Sequence, residues 1–229
     1  MPETAAYIEA INHHASGVSR IVLSLRGPFR HKSGQYLNIV HPGGTRIPLS
    51  IASAPERLPQ LELHYRSTPG LAEAMLLDEL LDQPQRTITI DGPHGNVCVE
   101  APTANELWLF AGGTGIAQAF CIVEYLRSVA QRKQVHLIWS VADRRQLYCE
   151  AELSNGPGWL DVRTLVDHPA TGNAALHWLK QHGSPACGRI ILCGGPGFVY
   201  AIADALTELG IPAGALESDV FSYAPRANG

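Results

Sequence analysis

Two patterns of hydrophobic and polar residues divide the chain. From Tyr7 to about Val99 the apolar runs are short, and turns rich in glycine and proline bound them. Residues 61–66 alternate apolar and polar side chains, which predicts a half-buried antiparallel strand. Residues 71–81 have apolar positions at helical spacing and predict a single helix. Several short strands with one helix indicate a small antiparallel barrel. The predicted strands are residues 18–25, 35–40, 47–52, 61–66, 86–91 and 96–99.

The pattern changes near Pro102. Beyond it, short apolar runs alternate with segments of helical period, which is typical of βαβ units and of a parallel sheet covered by helices on both faces. We therefore expect two domains, an antiparallel β-barrel in residues 1–101 and an α/β domain in residues 102–229. The predicted strands of the second domain are residues 107–110, 134–140, 161–166, 189–192 and 216–220. Its predicted helices are residues 116–129, 146–153, 173–181 and 198–209.

Composition and charge exclude several classes of protein. The 229 residues are 45% hydrophobic and 17% charged, which favours a packed core over disorder. The net charge of −4 lacks the basic excess that nucleic-acid binding requires. Glycines interrupt the longest uncharged stretch, residues 107–123, and the first residues have no export-signal pattern. We expect a cytoplasmic protein with neither a nucleic acid nor a membrane as a partner.

Neither the cysteines nor the histidines form a metal-binding pattern. The five cysteines are an odd number without a short repeated spacing, which predicts free thiols and no iron–sulfur site. The ten histidines include no HExxH motif, so no metal site is expected. A GxSxG elbow and a Walker lysine are also absent from the sequence, which gives no support to a hydrolase or a kinase.

Glycine-rich segments follow two of the predicted strands. The first, residues 112–115 (Gly-Gly-Thr-Gly), precedes a helix. Glycines there let the backbone approach a ligand, and the N–H groups of the helix N-terminus can bind a phosphate. Gln118 occupies the third glycine position of GxGxxG, so the spacing differs from the Rossmann fingerprint. A tight turn that binds nothing is the alternative.

The second glycine-rich segment, residues 193–197 (Cys-Gly-Gly-Pro-Gly), ends a later strand. In a parallel sheet both segments lie at the carboxyl edge, where open α/β folds bind ligands. We therefore expect a ligand site at this edge. Cys193 is either part of that site or a small buried apolar residue, which is the commoner fate of a free cysteine.

A third segment, residues 45–55, combines a predicted strand with hydroxyl groups. Ser50 and Ser53 lie on either side of Ile51 and Ala52 and are candidates to line a pocket. Because serines near strand ends are usually structural, this segment alone does not identify a site.

Taken in order, these segments resemble the ferredoxin–NADP reductase superfamily, and most closely its small NAD(P)H:flavin reductases, including those associated with bacterial luciferase. The Ser-x-Ala-Ser segment, residues 50–53, and the Gly-Gly-Thr-Gly segment, residues 112–115, are specific for this family in combination, whereas either alone is not. The matching segments are Gly34-Gln35-Tyr36, Pro48-Leu49-Ser50-Ile51-Ala52-Ser53, Gly92-Pro93-His94-Gly95, Gly112-Gly113-Thr114-Gly115, Leu147-Tyr148, Cys193-Gly194-Gly195-Pro196 and Asp219-Val220-Phe221.

The resemblance implies a fold and a site. An N-terminal six-stranded antiparallel barrel would hold the flavin ring, a C-terminal five-stranded parallel sheet would bind NADH or NADPH, and the flavin would lie in the cleft between them. By matching positions, Ser50 near flavin N5 and Cys193 near the nicotinamide are the implied catalytic residues. The implied cofactor-binding residues are Leu49, Ile51, Ser53, Arg66, Gly112, Gly113, Thr114, Gly115, Asp143, Arg144, Gly194, Gly195, Pro196, Phe221 and Tyr223. Among these, residues 113–115 would face the pyrophosphate, and Phe221 or Tyr223 would cover the outer edge of the flavin.

The chain departs from the family pattern at the flavin strand. The family has Arg-x-Tyr/Phe-Ser, but here Ile47 holds the arginine position and Leu49 the aromatic one. Arg46 is displaced by one residue, which on a strand turns its side chain to the opposite face unless a bulge corrects the register. We therefore expect weak flavin binding, as for a flavin that is a substrate.

The loop of residues 140–145 is expected to choose between the two nicotinamide cofactors. A carboxylate there can accept a hydrogen bond from the ribose 2′-hydroxyl, whereas an arginine can pair with a 2′-phosphate. Asp143 lies closest to the strand end, so we expect a slight preference for NADH, with NADPH tolerated through Arg144 or Arg145. The alternative is that all three charges are only solvated loop residues.

Together these features predict an NAD(P)H-dependent flavin reductase. FMN, FAD or riboflavin would be a substrate or a weakly held cofactor, and reduced flavin would leave or pass electrons to a separate protein such as a flavin-dependent oxygenase. Two alternatives stay open. One is the reductase component of an oxygenase with tightly held flavin, and the other is a nucleotide-sensing or electron-transfer subunit without turnover.

Overall fold

The structure is a computed structural model that describes residues 3–83, 87–103, 105–131, 133–170, 172–186 and 188–226. Its first sheet is antiparallel. The strands are β1 (Thr4–His13), β2 (Val18–Leu25), β3 (Tyr36–Val40), β4 (Arg46–Ser50), β5 (Gln60–Arg66) and β6 (Thr87–His94). They lie in the order β4-β3-β6-β1-β2-β5. An isolated bridge between Ile51 and Leu63 joins the end of β4 to β5, so the two edges of the sheet meet.

The second sheet is parallel and has helices on both faces. Its strands are β7 (Leu107–Gly112), β8 (Val135–Val141), β9 (Leu160–Val166), β10 (Arg189–Cys193) and β11 (Leu216–Glu217), in the order β11-β10-β7-β8-β9. The helices of this half are α2 (Ile116–Ser128), α3 (Glu150–Ser154), α4 (Ala174–His182), α5 (Pro196–Glu208) and α6 (Val220–Tyr223), after α1 (Ala72–Asp82) in the first half. One core packs α2 and α3 on the sheet, and another packs α4 and α5 on the opposite face.

The predicted two-domain fold is therefore confirmed. The antiparallel sheet has a core of its own, to which α1 contributes Ala74, Leu77 and Leu80. The exact position of the domain boundary, between residues 101 and 102, stays a prediction. No helix in the described ranges is long and apolar enough to cross a membrane.

Several predicted elements were wrong in extent. Strand β1 was missed because its register shifts between Ile8 and Ala10, which breaks the alternation of buried and exposed positions. The predicted strand 96–99 is reduced to a single bridge between Ser33 and Val99. The predicted strand 216–220 stops at Glu217, because α6 begins at Val220. In the predicted helix 146–153, the helix begins only at Glu150. Arg86, the predicted start of β6, lies outside the described residues.

Candidate functional site

A cleft of about 190 Å³ opens between the two sheets. Leu49 and Ser50, at the end of β4, lie on one wall. Thr114 and Gly195, from the turns after β7 and β10, lie on the other wall. The cleft is lined by Tyr36, Pro48, Leu49, Ser50, His64, Thr114, Gly115, Gln118, Gly194, Gly195, Ser218, Asp219, Val220 and Tyr223. The structure thus brings together candidates from distant parts of the sequence.

A second cleft, of about 410 Å³, continues from the first along the carboxyl edge of the parallel sheet. Thr114 and Gly195 line both clefts, so the two form one groove. Its lining is Arg66, Gly112, Gly113, Thr114, Ser140, Ala142, Gln146, Asp167, Asn173, Gly195, Gly197 and Phe198. After β7, strands β8 and β9 are added on one side of β7, whereas β10 and β11 are added on its other side. The groove therefore lies at the point of strand-order reversal, where open α/β sheets bind ligands.

The glycines of the groove serve two different purposes. A Cβ on Gly112 would lie 2.4 Å from the Phe198 ring, and one on Gly115 would lie 2.4 Å from the carbonyl oxygen of Cys193. These two glycines are therefore needed for packing within the protein. At Gly113 and Gly195 a Cβ would meet nothing within 4 Å, so open space suited to a ligand lies beside them.

A hydrogen bond from the parallel sheet stabilises the backbone conformation of Gly113. Its φ of 55° is in the left-handed region, which favours glycine. The indole Nε1 of Trp139, a fully buried side chain on β8, donates a hydrogen bond of 2.9 Å to the carbonyl oxygen of Gly113. The turn is thus fixed by the sheet beneath it.

Three candidates lie in the core behind the cleft. Cys193 is 0% exposed, Ile51 is 0% exposed and Ser53 is 1% exposed. Burial raises the pKa of the Cys193 thiol, which keeps it protonated and unreactive. The Ser53 hydroxyl accepts a hydrogen bond of 3.0 Å from the backbone N–H of Glu62. The structure does not bring these side chains to the groove.

One of the two aromatic candidates reaches the cleft. The Tyr223 side chain lines it, is 51% exposed, and has its ring centre 6.3 Å from that of Tyr36. Phe221 instead packs against Tyr200, with the ring centres 5.6 Å apart. Of the two aromatic candidates, Tyr223 therefore borders the cleft together with Ser50, and Phe221 does not line it.

Arg46 is engaged away from the cleft. Strands β3 and β4 pair without a register shift from Val40–Arg46 to Tyr36–Ser50, so no bulge restores the family position. Arg46 Nε donates to Asp91 at 3.2 Å, and its Nη2 donates to Glu3 at 3.2 Å. Ile47, at the family's arginine position, is buried.

The candidates for cofactor choice lie at the rim of the second cleft. The Asp143 carboxylate accepts hydrogen bonds from the side chain of Arg145 at 2.7 and 3.0 Å and from its backbone N–H at 2.8 Å. These bonds lower the pKa of Asp143 to about 2. Asp143 and Arg144 are not among the lining residues, whereas Ala142 and Gln146 on either side of them are.

Sequence reasoning missed several polar residues of the groove. Asp167 follows β9 at the same carboxyl edge as the glycine turns, and that position was a usable signal. Its carboxylate accepts hydrogen bonds from Ser140 Oγ at 3.2 Å and from the Ala174 N–H at the start of α4 at 2.9 Å. Asn173 caps the same helix through the N–H groups of residues 175 and 176.

A second pair of residues that sequence reasoning did not assign to the site joins the two halves of the protein. The Gln118 amide donates to the carbonyl oxygen of Gly34 at 2.7 Å and to Asp219 at 3.4 Å. Asp219 also accepts the N–H groups of Asn96 and Val97, at 2.9 and 3.3 Å. Burial raises the pKa of Asp219. No local sequence pattern pairs these residues, which are about a hundred positions apart.

Comparison with solved structures gives the class of fold. No family model matches the chain. The fold superimposes on the Amycolatopsis cytochrome P450 reductase GcoB with a TM-score of 0.80 at 24% identity, covering 94% of this chain and 68% of that one. It superimposes on the ferredoxin reductase in carbazole 1,9a-dioxygenase with a TM-score of 0.78 at 18% identity, covering 94% and 68%. The chain therefore has the two-domain ferredoxin-reductase-like fold.

Comparison with curated proteins finds relatives whose names describe an activity as well as a fold. The chain is 33% identical over 152 residues to the NAD(P)H-flavin reductase of Aliivibrio fischeri, covering 65% of this chain and 64% of that protein. It is 26% identical over 216 residues to terephthalate 1,2-dioxygenase, reductase component 2, of Comamonas sp, covering 90% and 63%. The match thus spans less than two thirds of each relative. The resemblance is confirmed to this extent: the chain has a ferredoxin-reductase-like fold and is similar in sequence to proteins named NAD(P)H-flavin reductase.

Proposed function

We propose that the chain is an NAD(P)H:flavin oxidoreductase. The observation that carries the proposal is the continuous groove, which runs from Ser50 on the antiparallel sheet to the glycine turns of the parallel sheet. Such a groove allows two flat rings to meet at one end while a dinucleotide extends along the other. Homology to a protein named NAD(P)H-flavin reductase supports the same function.

The nucleotide end of the groove fits a pyrophosphate. Helix α5 has Gly195 as its N-cap and Pro196 as its first residue, and no side chain caps it, so the N–H groups that follow Pro196 are free to bind an anion. Arg66 lines the same groove and supplies a positive charge. The open space beside Gly113 and Gly195 leaves room for the phosphates to approach the backbone.

The flavin end fits a loosely held ring. Leu49 and Tyr223 are placed to pack against the ring, and the Ser50 hydroxyl is placed to hydrogen-bond its edge. Because Arg46 is engaged with Asp91, no arginine of this strand is available for a flavin phosphate or ribityl group. We infer that FMN, FAD or riboflavin binds as a dissociable substrate.

When bound at the two ends of this groove, NAD(P)H would supply a hydride for which the flavin would be the acceptor. The protein's own residues align the rings and exclude water between them. Ser50 fixes the flavin edge, Thr114 and Gly195 orient the nucleotide, and Tyr223 covers the cleft. Cys193 contributes through its backbone, which supports the turn at Gly115.

The alternative function is a reductase component that holds its flavin and serves an oxygenase on another chain. Similarity to a terephthalate 1,2-dioxygenase reductase component favours it. We also propose a cytoplasmic location, because the described cysteines are all free thiols, as in a reducing compartment.

The experiment is an assay of the purified protein with NADH and NADPH against riboflavin, FMN and FAD, together with its absorption spectrum. The proposal expects a colourless protein that oxidises the nicotinamide only when flavin is added. A yellow protein with stoichiometric flavin would support the reductase component instead. A colourless protein inactive with every flavin would contradict both and support a subunit without turnover.

A further inference from the structure

A chain of hydrogen bonds lies directly behind the cleft and joins the two sheets. His64 on β5 lines the cleft beside Ser50, yet its side chain is 0% exposed. Its Nδ1 lies 2.9 Å from the Tyr148 hydroxyl, and its Nε2 lies 2.9 Å from Glu62 Oε1. Tyr148 belongs to the parallel-sheet half, between β8 and α3. We refer to these three residues as the Tyr148–His64–Glu62 chain.

The proton positions in this chain follow from its partners. Burial alone would raise the pKa of Glu62, but hydrogen bonds from His64 and Arg20 outweigh it and lower the pKa to about 2. Glu62 is therefore a carboxylate that only accepts, so His64 Nε2 carries a proton. Burial lowers the pKa of His64, so the ring is neutral and its Nδ1 accepts the Tyr148 O–H.

This assignment decides what His64 can do. Both of its ring nitrogens are used within the protein, so neither is available to hydrogen-bond a ligand or to transfer a proton to one. Only the carbon edge of the ring is left to face the cleft. The contribution of His64 is therefore to position its neighbours.

The other end of the chain lies against the nucleotide turn. Tyr148 borders a void of about 10 Å³ together with Gly113 and Thr114. Its ring packs edge-on against Trp139, with the centres 5.6 Å apart, and Trp139 holds the carbonyl of Gly113. A shift of Tyr148 would therefore be transmitted to the turn.

A second bond anchors the same segment to the antiparallel sheet. Arg20 on β2 donates to Glu62 at 2.6 Å and to Glu152 on α3 at 2.5 Å. Residues 148 and 152 are thus both tied to this sheet, one through His64 and the other through Arg20. Two attachments restrict rotation of the segment, which a single bond would not.

We propose that Tyr148 and His64 are positioning residues for hydride transfer, because their hydrogen bond sets the distance between the cleft wall at Ser50 and the turn at Gly113. This inference rests on the proposed function. Misplacement of reacting groups by about 1 Å can cost about a hundredfold in rate. Loss of one neutral hydrogen bond permits a smaller shift, and we expect a decrease in kcat of about tenfold.

The test removes one hydroxyl. In Tyr148→Phe, kcat should fall about tenfold, and the primary isotope effect on kcat from NADH deuterated at the transferred position should rise. The KM for flavin should stay within about twofold, because the bond does not contact the flavin. Amide hydrogen exchange of residues 112–116, measured without cofactors, should become faster. The matched control is Tyr125→Phe on α2, which removes a hydroxyl that donates to the Glu100 carbonyl, outside the groove.

A double-variant cycle tests whether the two residues act through one bond. His64→Gln keeps an N–H for Glu62 but removes the ring Nδ1, which is the atom that accepts the Tyr148 hydroxyl in the structure. The double variant should therefore be no slower than the slower single variant. Losses that multiply, or an unchanged kcat and isotope effect in Tyr148→Phe, would overturn the proposal even if exchange becomes faster.

Failure of the proposed function would look different. The wild type would then be inactive with every flavin, and the role in hydride transfer would fall with it. Hydrogen exchange would still test whether the Tyr148–His64 hydrogen bond is coupled to the turn at Gly113. Faster exchange of residues 112–116 in Tyr148→Phe supports this coupling, and unchanged exchange overturns it.

Discussion

Gly115 lies in direct backbone contact with Cys193. An ideal Cβ on Gly115 would be 2.4 Å from the carbonyl oxygen of Cys193 and 2.5 Å from the Cα of Gly194. The two glycine-rich turns therefore support each other, and their contact keeps Thr114 and Gly195 at the same part of the groove.

Gly115→Ala should destabilise the protein. The new methyl group must displace backbone, and overpacking of this kind costs about 1–3 kcal/mol. Urea unfolding should show a lower midpoint for the variant. The control is Gly158→Ala, where a Cβ meets nothing within 4 Å. An unfolding midpoint equal to that of the control would contradict the packing role of Gly115.

Gly195→Ala should instead affect ligand binding. A Cβ at Gly195 has open space within the protein but projects beside the groove that we assign to the dinucleotide. We expect the KM for NAD(P)H to rise more than the KM for flavin, with the unfolding midpoint nearly unchanged. Gly214→Ala, which also adds a methyl group in open space, serves as the control. Equal increases in both KM values would argue against a nucleotide site there.

These two glycines illustrate what sequence could predict. Strand–glycine–helix order located both turns at the carboxyl edge, because that order depends on local pattern and on the rules of parallel sheets. The sequence could not distinguish Gly115, which packs on backbone, from Gly195, which borders open space. That difference depends on contacts between turns about eighty residues apart.

The hydrogen-bond chain behind the cleft was beyond sequence reasoning for the same reason. Tyr148 and His64 are separated by 84 positions, and neither lies in a motif for the other. The alternation of residues 61–66 correctly predicted β5, but it assigned His64 to the polar face when its side chain is fully buried. A buried polar side chain is recognised only once its partners are in place.

Ser50→Ala should reduce turnover with little effect on stability. If the hydroxyl bonds the flavin in the hydride-transfer geometry, its loss should raise the barrier by about 1–3 kcal/mol, which is about a 5- to 150-fold decrease in kcat. The rate should be measured at saturating flavin and NADH. Ser128→Ala is the control, because that hydroxyl bonds the Tyr125 carbonyl at the end of α2. Unchanged turnover of Ser50→Ala would rule out its catalytic role.

Acidification should destabilise the protein, in part through His64. Burial lowers the pKa of His64 below its ordinary 6.5, so below that pH the unfolded chain binds a proton that the folded one does not. Stability therefore falls as the pH drops from about 7 to about 5. Urea midpoints over this range should fall less steeply for His64→Gln than for the wild type. Burial also lowers the pKa of His31, but His31 is present in both proteins and does not alter the comparison. Parallel curves would contradict the burial of a neutral His64.

Asp143→Ala should change the preference between NADH and NADPH. In the structure the Asp143 carboxylate holds the Arg145 side chain at 2.7 Å, so the two charges neutralise each other next to Ala142, which lines the groove that we assign to the dinucleotide. Removing the carboxylate eliminates an acceptor for the ribose 2′-hydroxyl and releases a guanidinium that can pair with a 2′-phosphate. The ratio of kcat/KM for NADH to that for NADPH should therefore decrease, from a wild-type value slightly in favour of NADH.

The double variant Asp143→Ala with Arg145→Ala separates the two contributions, because it removes the carboxylate without releasing a cation. Its ratio should lie between those of the wild type and the single variant. If Arg144 also reaches the 2′-phosphate, Arg144→Ala should lower kcat/KM for NADPH and leave kcat/KM for NADH unchanged. A strong wild-type preference for NADPH, or a ratio that does not move in Asp143→Ala, would show that these charges are solvated loop residues with no part in cofactor choice.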